Sequence, residues 1–297
     1  MSSSSKPEWI KAKAPSGPTH ARLKELLKQY SLHTVCQEAH CPNVGECWGS
    51  GTVTFMIMGE VCTRACRFCN VKSGKPNGIL DTEEPTRVAR AVKDLELKYV
   101  VITSVDRDDL PDGGASHFAQ TITAVRANVP DALVEALVPD FGGNLADVET
   151  VVQARPEVIG HNLETTKPMT SKVRDPRADY HRSLMVLQQV KRLNRRIFTK
   201  SSLMLGLGER REDVIQSMRD LRGVETDFLT LGQYLRPSPR NLPVVKYITP
   251  DEFSYYRKVG ERLGFRYVAS DPLVRSSYRA GEYFVERMIE RIRRDTS

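Results

Sequence analysis

Thr52-Val-Thr-Phe-Met-Ile-Met58, followed three residues later by Cys62-Thr-Arg-Ala-Cys66-Arg-Phe-Cys69-Asn70, decides how the rest of the chain is read. The apolar run is short and β-rich, as expected of a buried strand. At its end, three thiols lie within the eight residues 62–69, spaced by three and then two residues. A loop of that kind can hold metal. Three thiolates around a four-iron cube leave one iron without a protein ligand, an open position where chemistry can occur.

Downstream of this loop, strand-like and helix-like segments alternate. Apolar runs at Tyr99–Thr103, Ala132–Val138, Val158–His161, Ile197–Leu205, Phe228–Leu235 and Tyr267–Ser270 read as strands. Amphipathic patterns at Pro85–Leu97, Ala115–Asn128, Leu145–Ala154, Ala178–Leu193, Arg211–Leu221 and Pro250–Leu263 read as helices. Such alternation predicts parallel βαβ units. Polar and glycine-rich segments begin where strands run out, at 103–114, 161–165, 206–209 and 233–238, as does the cysteine loop itself. Functional loops gathered at the carboxyl ends of several strands point to a barrel. The expected fold is α/β, a partial (β/α)6 TIM-like barrel with N- and C-terminal extensions.

The expected organisation has four parts. Residues 1–19, with four consecutive serines and three prolines, form a flexible arm. Residues 20–51 form an extension in which Leu23, Leu26, Leu27 and Tyr30 mark a short amphipathic helix, followed by a cysteine-bearing loop. The barrel spans 52–270, and 271–297 form a C-terminal extension. There, Phe284, Met288, Ile289 and Ile292 share one face of a helix from Tyr283 to Arg294.

At 297 residues, 40% hydrophobic and 27% charged, the composition is that of an ordinary globular protein, with no apolar run of membrane-spanning length. The first residues carry no apolar signal core, which predicts a cytoplasmic location. The net charge of +7 is scattered among glutamates, and is read first as a solvated basic surface and not as a nucleic-acid site.

All six cysteines fall between Cys36 and Cys69, so they form one local constellation and not a disulfide framework. They make two triplets, Cys36-x4-Cys41-x5-Cys47 and Cys62-x3-Cys66-x2-Cys69. A structural zinc site closes with four ligands, commonly as paired short spacings, and would leave two thiols idle. Two iron–sulfur clusters, each on three thiolates, use all six.

The Cys62/Cys66/Cys69 spacing with Phe68 before the last cysteine resembles the motif of radical S-adenosylmethionine enzymes. The upstream triplet and the late Arg275-Ser-Ser-Tyr278 narrow the resemblance to the lipoyl synthases. That family inserts two sulfur atoms, at carbons 6 and 8, into an octanoyl chain amide-linked to a lysine of a carrier domain. The resemblance implies two 4Fe-4S clusters and S-adenosylmethionine. The Cys62/Cys66/Cys69 cluster would cleave S-adenosylmethionine to a deoxyadenosyl radical, since carbons without an acidic proton are beyond acid–base catalysis. The Cys36/Cys41/Cys47 cluster would be the sulfur donor, with Ser277 holding its fourth iron; without the resemblance, Ser276 and Ser277 read as a turn or cap. Implied partners are octanoylated lipoyl domains of 2-oxoacid dehydrogenase E2 subunits and the glycine cleavage H protein, a flavodoxin or ferredoxin-type reductant, and an iron–sulfur carrier for cluster repair. Neither nucleic acid nor membrane is implied. Another radical enzyme with an auxiliary cluster is the nearest alternative, and a zinc-stabilised binding module the alternative of another class.

Softer candidates surround these. Asn162 and Glu164 follow a strand end and are expected to hydrogen-bond S-adenosylmethionine, with Arg174 pairing its carboxylate; each reads equally well as loop structure. Asp106, Asp108 and Asp109 are expected to face cofactor or substrate, Gly113 and Gly114 to permit close backbone approach, although Asp112-Gly113 reads equally well as a turn, and Lys200 and Arg236 are expected to reach the carrier or its tethered chain. His161, ending an apolar strand, reads as a structural histidine. Gly206-Leu-Gly208 is too short for a dinucleotide fingerprint, and no phosphate loop is present.

Overall fold

The computed structural model describes residues 6–11, 17–38, 41, 43–49 and 53–277. Tyr278 and the helical pattern from Tyr283 to Arg294 lie outside the described residues, as does most of residues 1–19. The eight strands of the main sheet are β1 (His33–Thr34), β2 (Thr54–Ile57), β3 (Tyr99–Ser104), β4 (Leu133–Leu137), β5 (Val158–Gly160), β6 (Phe198–Leu205), β7 (Phe228–Gln233) and β8 (Tyr267–Ser270), and their spatial order is their order in the chain. β1 runs antiparallel to β2; every other pairing is parallel.

Helix α1 (Pro18–Gln29) precedes the sheet. Six helices cover it: α2 (Glu84–Asp94), α3 (Ala115–Asn128), α4 (Leu145–Gln153), α5 (Tyr180–Leu193), α6 (Arg211–Gly223) and α7 (Pro250–Arg262), one after each strand from β2 to β7. These are the six expected β/α units. Because every crossover advances in one direction, the helices share one face, and the twisted sheet curls around the other. Among the described residues no pairing joins β8 to β1, so the barrel stays open. β8 adds a seventh parallel strand at the far edge.

Residues at or near the starts of successive strands plug the amino-terminal end. Leu133, Val158, Phe198 and Phe228 pack together with Tyr99 and Tyr267 against them, and the Phe198 and Phe228 rings stack at 5.1 Å. One layer above, Glu135 is fully buried and accepts from Lys200 Nζ at 2.9 Å and from the Tyr99 hydroxyl at 2.6 Å. Lys200 is thus spent in the barrel floor, not presented to a carrier. Lys200→Ala is expected to strand the Glu135 carboxylate in an apolar layer, at a cost of about 3–5 kcal/mol. Urea unfolding of the variant checks this.

The segment between Cys36 and Cys47, expected as a loop without a core, is partly helical: Val35–Glu38 and Val44–Gly49 each form a short helix. Cys36, Cys47 and Trp48 are buried in the main core with Leu23 and Leu27 of α1, and Trp48 lies against the His20 ring at 5.0 Å. Trp48 at the end of an otherwise polar stretch is what anchors it. Elsewhere boundaries move by a few residues for local reasons, as at α5, where the Asp179 side chain accepts from Arg182 N at 2.7 Å and sets the first turn.

Candidate active site

A cavity of about 500 Å³ opens at the carboxyl ends of the parallel strands. All six cysteines line it, together with Phe68, Asn162, Glu164, Arg174, Ser276 and Ser277. None of the cysteines is in a disulfide. Among the described residues no three thiols come within 4.8 Å of one another.

The loop 62–70 is fastened on all sides by residues distant in sequence. Thr63 N donates to Asp106 O at 2.9 Å, Ala65 N to Asp175 Oδ2 at 2.8 Å, Arg67 N to Val173 O at 2.9 Å, and Asn241 Nδ2 to Cys69 O at 2.8 Å. Backbone amides also point at the sulfurs: Arg64 N and Asp106 N lie 3.4 and 3.3 Å from Cys62 Sγ, and Asp175 N lies 3.3 Å from Cys66 Sγ. Amide donors to cluster sulfurs help set a cluster's potential. Arg64, 4% exposed, is the pivot of the loop. It donates to Asp108 through Nε and Nη2 at 3.1 and 2.8 Å and to Asp140 Oδ1 at 2.6 Å, with Asp106 Oδ1 at 3.5 Å. Burial opposes ionisation of Asp140, but the Arg64 guanidinium holds its carboxyl below the usual range. Arg177 bridges Asp175, Asp108 and the Thr63 carbonyl.

Opposite this loop, Asn162 Nδ2 donates to Glu164 Oε1 at 3.0 Å. Glu164 has φ +65°, a left-handed conformation rare for a residue with a side chain. Its backbone is held there by bonds to Ser202 O at 3.0 Å and from Met204 N at 2.9 Å. Burial pushes the Glu164 carboxyl up, and burial raises Asp106 to about 6. Arg174 is buried, and its Nε has no hydrogen-bond partner among the described residues. A cavity with raised carboxyls and an orphaned guanidinium nitrogen matches a ligand bearing both an amino cation and a carboxylate.

His161 is the structural residue expected. Its Nδ1 bonds the Val138 carbonyl at 2.8 Å and its Nε2 the Ser183 hydroxyl at 2.9 Å, and Arg174 Nη1 donates to the same hydroxyl at 2.8 Å. Burial lowers its pKa to about 4, helped by the positive charge of Arg174. The unfolded chain therefore takes up a proton that the folded one refuses. Stability is expected to fall as pH drops from about 6.5 through 4, by roughly 3 kcal/mol from this group. Denaturant unfolding at several pH values, compared with His161→Gln, reads that slope.

On the other wall, Cys36 and Cys47 ride on the two short helices, and Cys41 N donates to Cys36 O at 3.0 Å. Asn43 Nδ2 donates to Leu273 O at 2.6 Å, tying this wall to the segment that carries Ser277. That segment passes over β7 at Gly232. A Cβ there would overlap the Val274 carbonyl oxygen and lie 3.2 Å from Arg275 Nη1.

Of the softer candidates, Asp106 and Arg236 line the cavity. Asp108 and Asp109 do not line it: the first grips Arg64 and the second Arg107, at 2.8 Å from Nε. Gly113 and Gly114 take positive φ at the entry to α3, where a Cβ on Gly114 would overlap Met58 Sδ; they serve packing. Asp140, Asp175, Arg177 and Gly232 are absent from the sequence-based candidates. Asp140 follows the end of β4, so the rule that polar residues cluster after strands would have found it. Gly232 inside a strand carries no such local signal.

An open, sequentially ordered β/α sheet with a cysteine loop after its first parallel strand defines the radical S-adenosylmethionine class, and residues 56–221 match the model of the radical SAM superfamily. Residues 2–41 match the N-terminal domain of lipoyl synthase of that family. The chain is 58% identical over 281 residues to the lipoyl synthase of Thermus thermophilus, covering 95% of this chain and 87% of that protein. It is 55% identical over 285 residues to that of Anaeromyxobacter dehalogenans, covering 96% and 97%. The chain belongs to the lipoyl synthase family. Likeness in fold alone extends to methylornithine synthase, with a TM-score of 0.54 at 13% identity over 92% of each chain. The FeFe-hydrogenase maturase HydG from Carboxydothermus hydrogenoformans gives 0.55 at 12% identity over 78% of this chain and 65% of that one. Membership of the superfamily carries with it a 4Fe-4S cluster and S-adenosylmethionine. Among the described residues no helix is long and apolar enough to cross a membrane.

Proposed function

We propose that this chain inserts sulfur at carbons 6 and 8 of an octanoyl group amide-linked to a lysine of a lipoyl carrier domain, using two 4Fe-4S clusters on opposite walls of one cavity. The observation that carries the reading is that both cysteine triplets and Ser277 line the same cavity. Cys62, Cys66 and Cys69 would hold one cluster; Cys36, Cys41, Cys47 and Ser277 would hold the other. When bound, the first supplies the electron that cleaves S-adenosylmethionine to start radical chemistry, and the second supplies sulfur.

The protein's part is to bind, orient and shield. Glu164 and Asn162 offer acceptors and a donor to the amino and hydroxyl groups of S-adenosylmethionine, and Arg174 Nε is free for its carboxylate. Phe68, packed near Val173, Leu207 and Tyr234, closes the loop side against water. Arg64 and its carboxylates keep Cys62 and Cys66 in place. Ser277 brings a hard oxygen, a weaker ligand for iron than thiolate and the easier one to displace. In this reading residues 20–51 and 271–297 are extensions that complete the barrel of 52–270 with the auxiliary site. The carriers are 2-oxoacid dehydrogenase E2 subunits and the glycine cleavage H protein. Flavodoxin or a ferredoxin reduces the enzyme, an iron–sulfur carrier rebuilds the donor, and the reaction is cytoplasmic.

Iron and acid-labile sulfide in anaerobically reconstituted protein give the first test. About eight irons per chain are expected; four remove the second cluster, and zinc without sulfide removes the enzyme reading. Mass spectrometry of an octanoylated carrier peptide gives the second. Cys62→Ala is expected to abolish deoxyadenosine formation, whereas Cys41→Ala still forms it but makes no lipoyl product. Normal product from Cys41→Ala would end the sulfur-donor assignment.

A further inference from the structure

Arg275 brings an unpaired cation to the auxiliary wall of the cavity. Its Nη1 donates to the carbonyls of Val274 at 2.6 Å and Pro272 at 3.5 Å, and it forms no ion pair among the described residues. The other arginines of the cavity differ. Arg64 is paired with three carboxylates. Arg174 is bonded to Ser183 and faces the charges of Asp106 and Glu164. Arg236 is exposed, with the Asn241 carbonyl on its Nε at 2.9 Å.

The position of Arg275 is built. Asn43 holds the Leu273 carbonyl at 2.6 Å, Gln233 N donates to Pro272 O at 3.2 Å, and the missing side chain of Gly232 leaves the space that Val274 and Arg275 occupy. Arg275 lines the cavity together with Cys36, Cys41 and Cys47. A partly buried cation with no ion-pair partner among the described residues lacks the anion that would offset its desolvation. Three thiolates gathered at Cys36, Cys41 and Cys47 would provide that anion.

We propose that Arg275 is the charge-compensating residue of the auxiliary triplet, its guanidinium neutralising the anionic thiolates and raising the reduction potential of the cluster they carry. This rests on the two-cluster reading above. Arg275 is a positioning residue in that it acts on the cluster through charge, with no bond to metal. The prediction is directional. Reduction adds negative charge, so removing a nearby cation shifts the potential downward and loosens the cluster.

The test compares Arg275→Met, which keeps the stem and loses the charge, with Arg275→Lys, which keeps the charge and loses the fork. Both are reconstituted as full-length protein and titrated electrochemically with detection by electron paramagnetic resonance. The auxiliary signal is the one missing from Cys41→Ala. Iron release to a chelator is followed in parallel. Arg275→Met is expected to show a more negative auxiliary potential, an unmoved radical-cluster potential and about tenfold faster loss of auxiliary iron. Arg275→Lys is expected to stay near the parent in both. If Arg275→Met loses the auxiliary cluster outright while Arg275→Lys keeps it, charge is again what matters. An unshifted potential in Arg275→Met, or equal shifts or equal loss in both variants, overturns the proposal. Four irons in the parent protein would instead remove the two-cluster reading before any variant is compared.

Discussion

Gly232→Ala is expected to leave deoxyadenosine formation intact and to reduce lipoyl product at least about 100-fold, the scale on which small misplacements of reacting groups act. The substitution suits the strand itself. Gly232 lies inside β7, paired with Met204, and alanine is compatible with an extended backbone. What it does not suit is the segment that crosses above. The new methyl would overlap the Val274 carbonyl oxygen and come within 2.9 Å of the Val274 carbonyl carbon. Neither atom can move alone, because Asp271 N is bonded to Leu231 O and Gln233 N to Pro272 O, both at 3.2 Å. The segment must lift, and Ser277 leaves the auxiliary wall with it. The cysteine loop 62–70 is anchored to other elements and keeps its geometry. Chromatography of deoxyadenosine alongside mass spectrometry of the carrier peptide separates the two outcomes; parent-level product would mean that the C-terminal segment is not what holds Ser277 in place.

Asp140→Ala is expected to do the reverse. It removes the 2.6 Å partner of Arg64 and the acceptor for Gly142 N, inside a wall where Arg64 is only 4% exposed. Breaking one arm of a buried ion pair costs about 3–5 kcal/mol, less here because Asp108 still holds the guanidinium. Arg64 lies between Cys62 and Cys66, so its loosening is transmitted to the backbone of the proposed cluster loop. A loss of about 10- to 100-fold in deoxyadenosine formation is expected, the scale for residues that orient metal ligands. The auxiliary signal in electron paramagnetic resonance should persist. Asp140→Asn, which keeps an acceptor for Gly142 N, should recover stability before it recovers rate. A variant with full deoxyadenosine formation would show that Arg64 needs only Asp108.

Much of this site is legible without coordinates. The spacings of two cysteine triplets are local facts, and a thiol triplet just after an apolar strand places itself at a strand's carboxyl end. The alternation of apolar runs and amphipathic patterns marked all seven parallel strands and the six helices between and after them. Asn162 and Glu164 were within reach because strand ends are where a β/α fold exposes its loops, whereas Arg174 follows the short helix Thr170–Val173 and not a strand. Lys200 shows the limit of that rule. It stands near the start of β6, where strand direction puts it in the floor beside Glu135 and not at the mouth. The helical pieces around Cys36 and Cys47 were missed because four- and six-residue helices have too few turns to display a period.

Thiol spacing and hydrophobic period are written within a few residues of chain, and they suffice for the class of chemistry and the order of the β/α units. That the two triplets share a cavity, that Asp140 steadies Arg64 across 76 residues and that Asn43 holds Leu273 across 230 emerge from the folded chain alone. A glycine near the carboxyl end of β7 likewise makes room for the segment bearing Arg275 and Ser277. Hydrogen bonds and close contacts over such separations depend on which strand lies beside which, and that is set by the packing of the whole sheet.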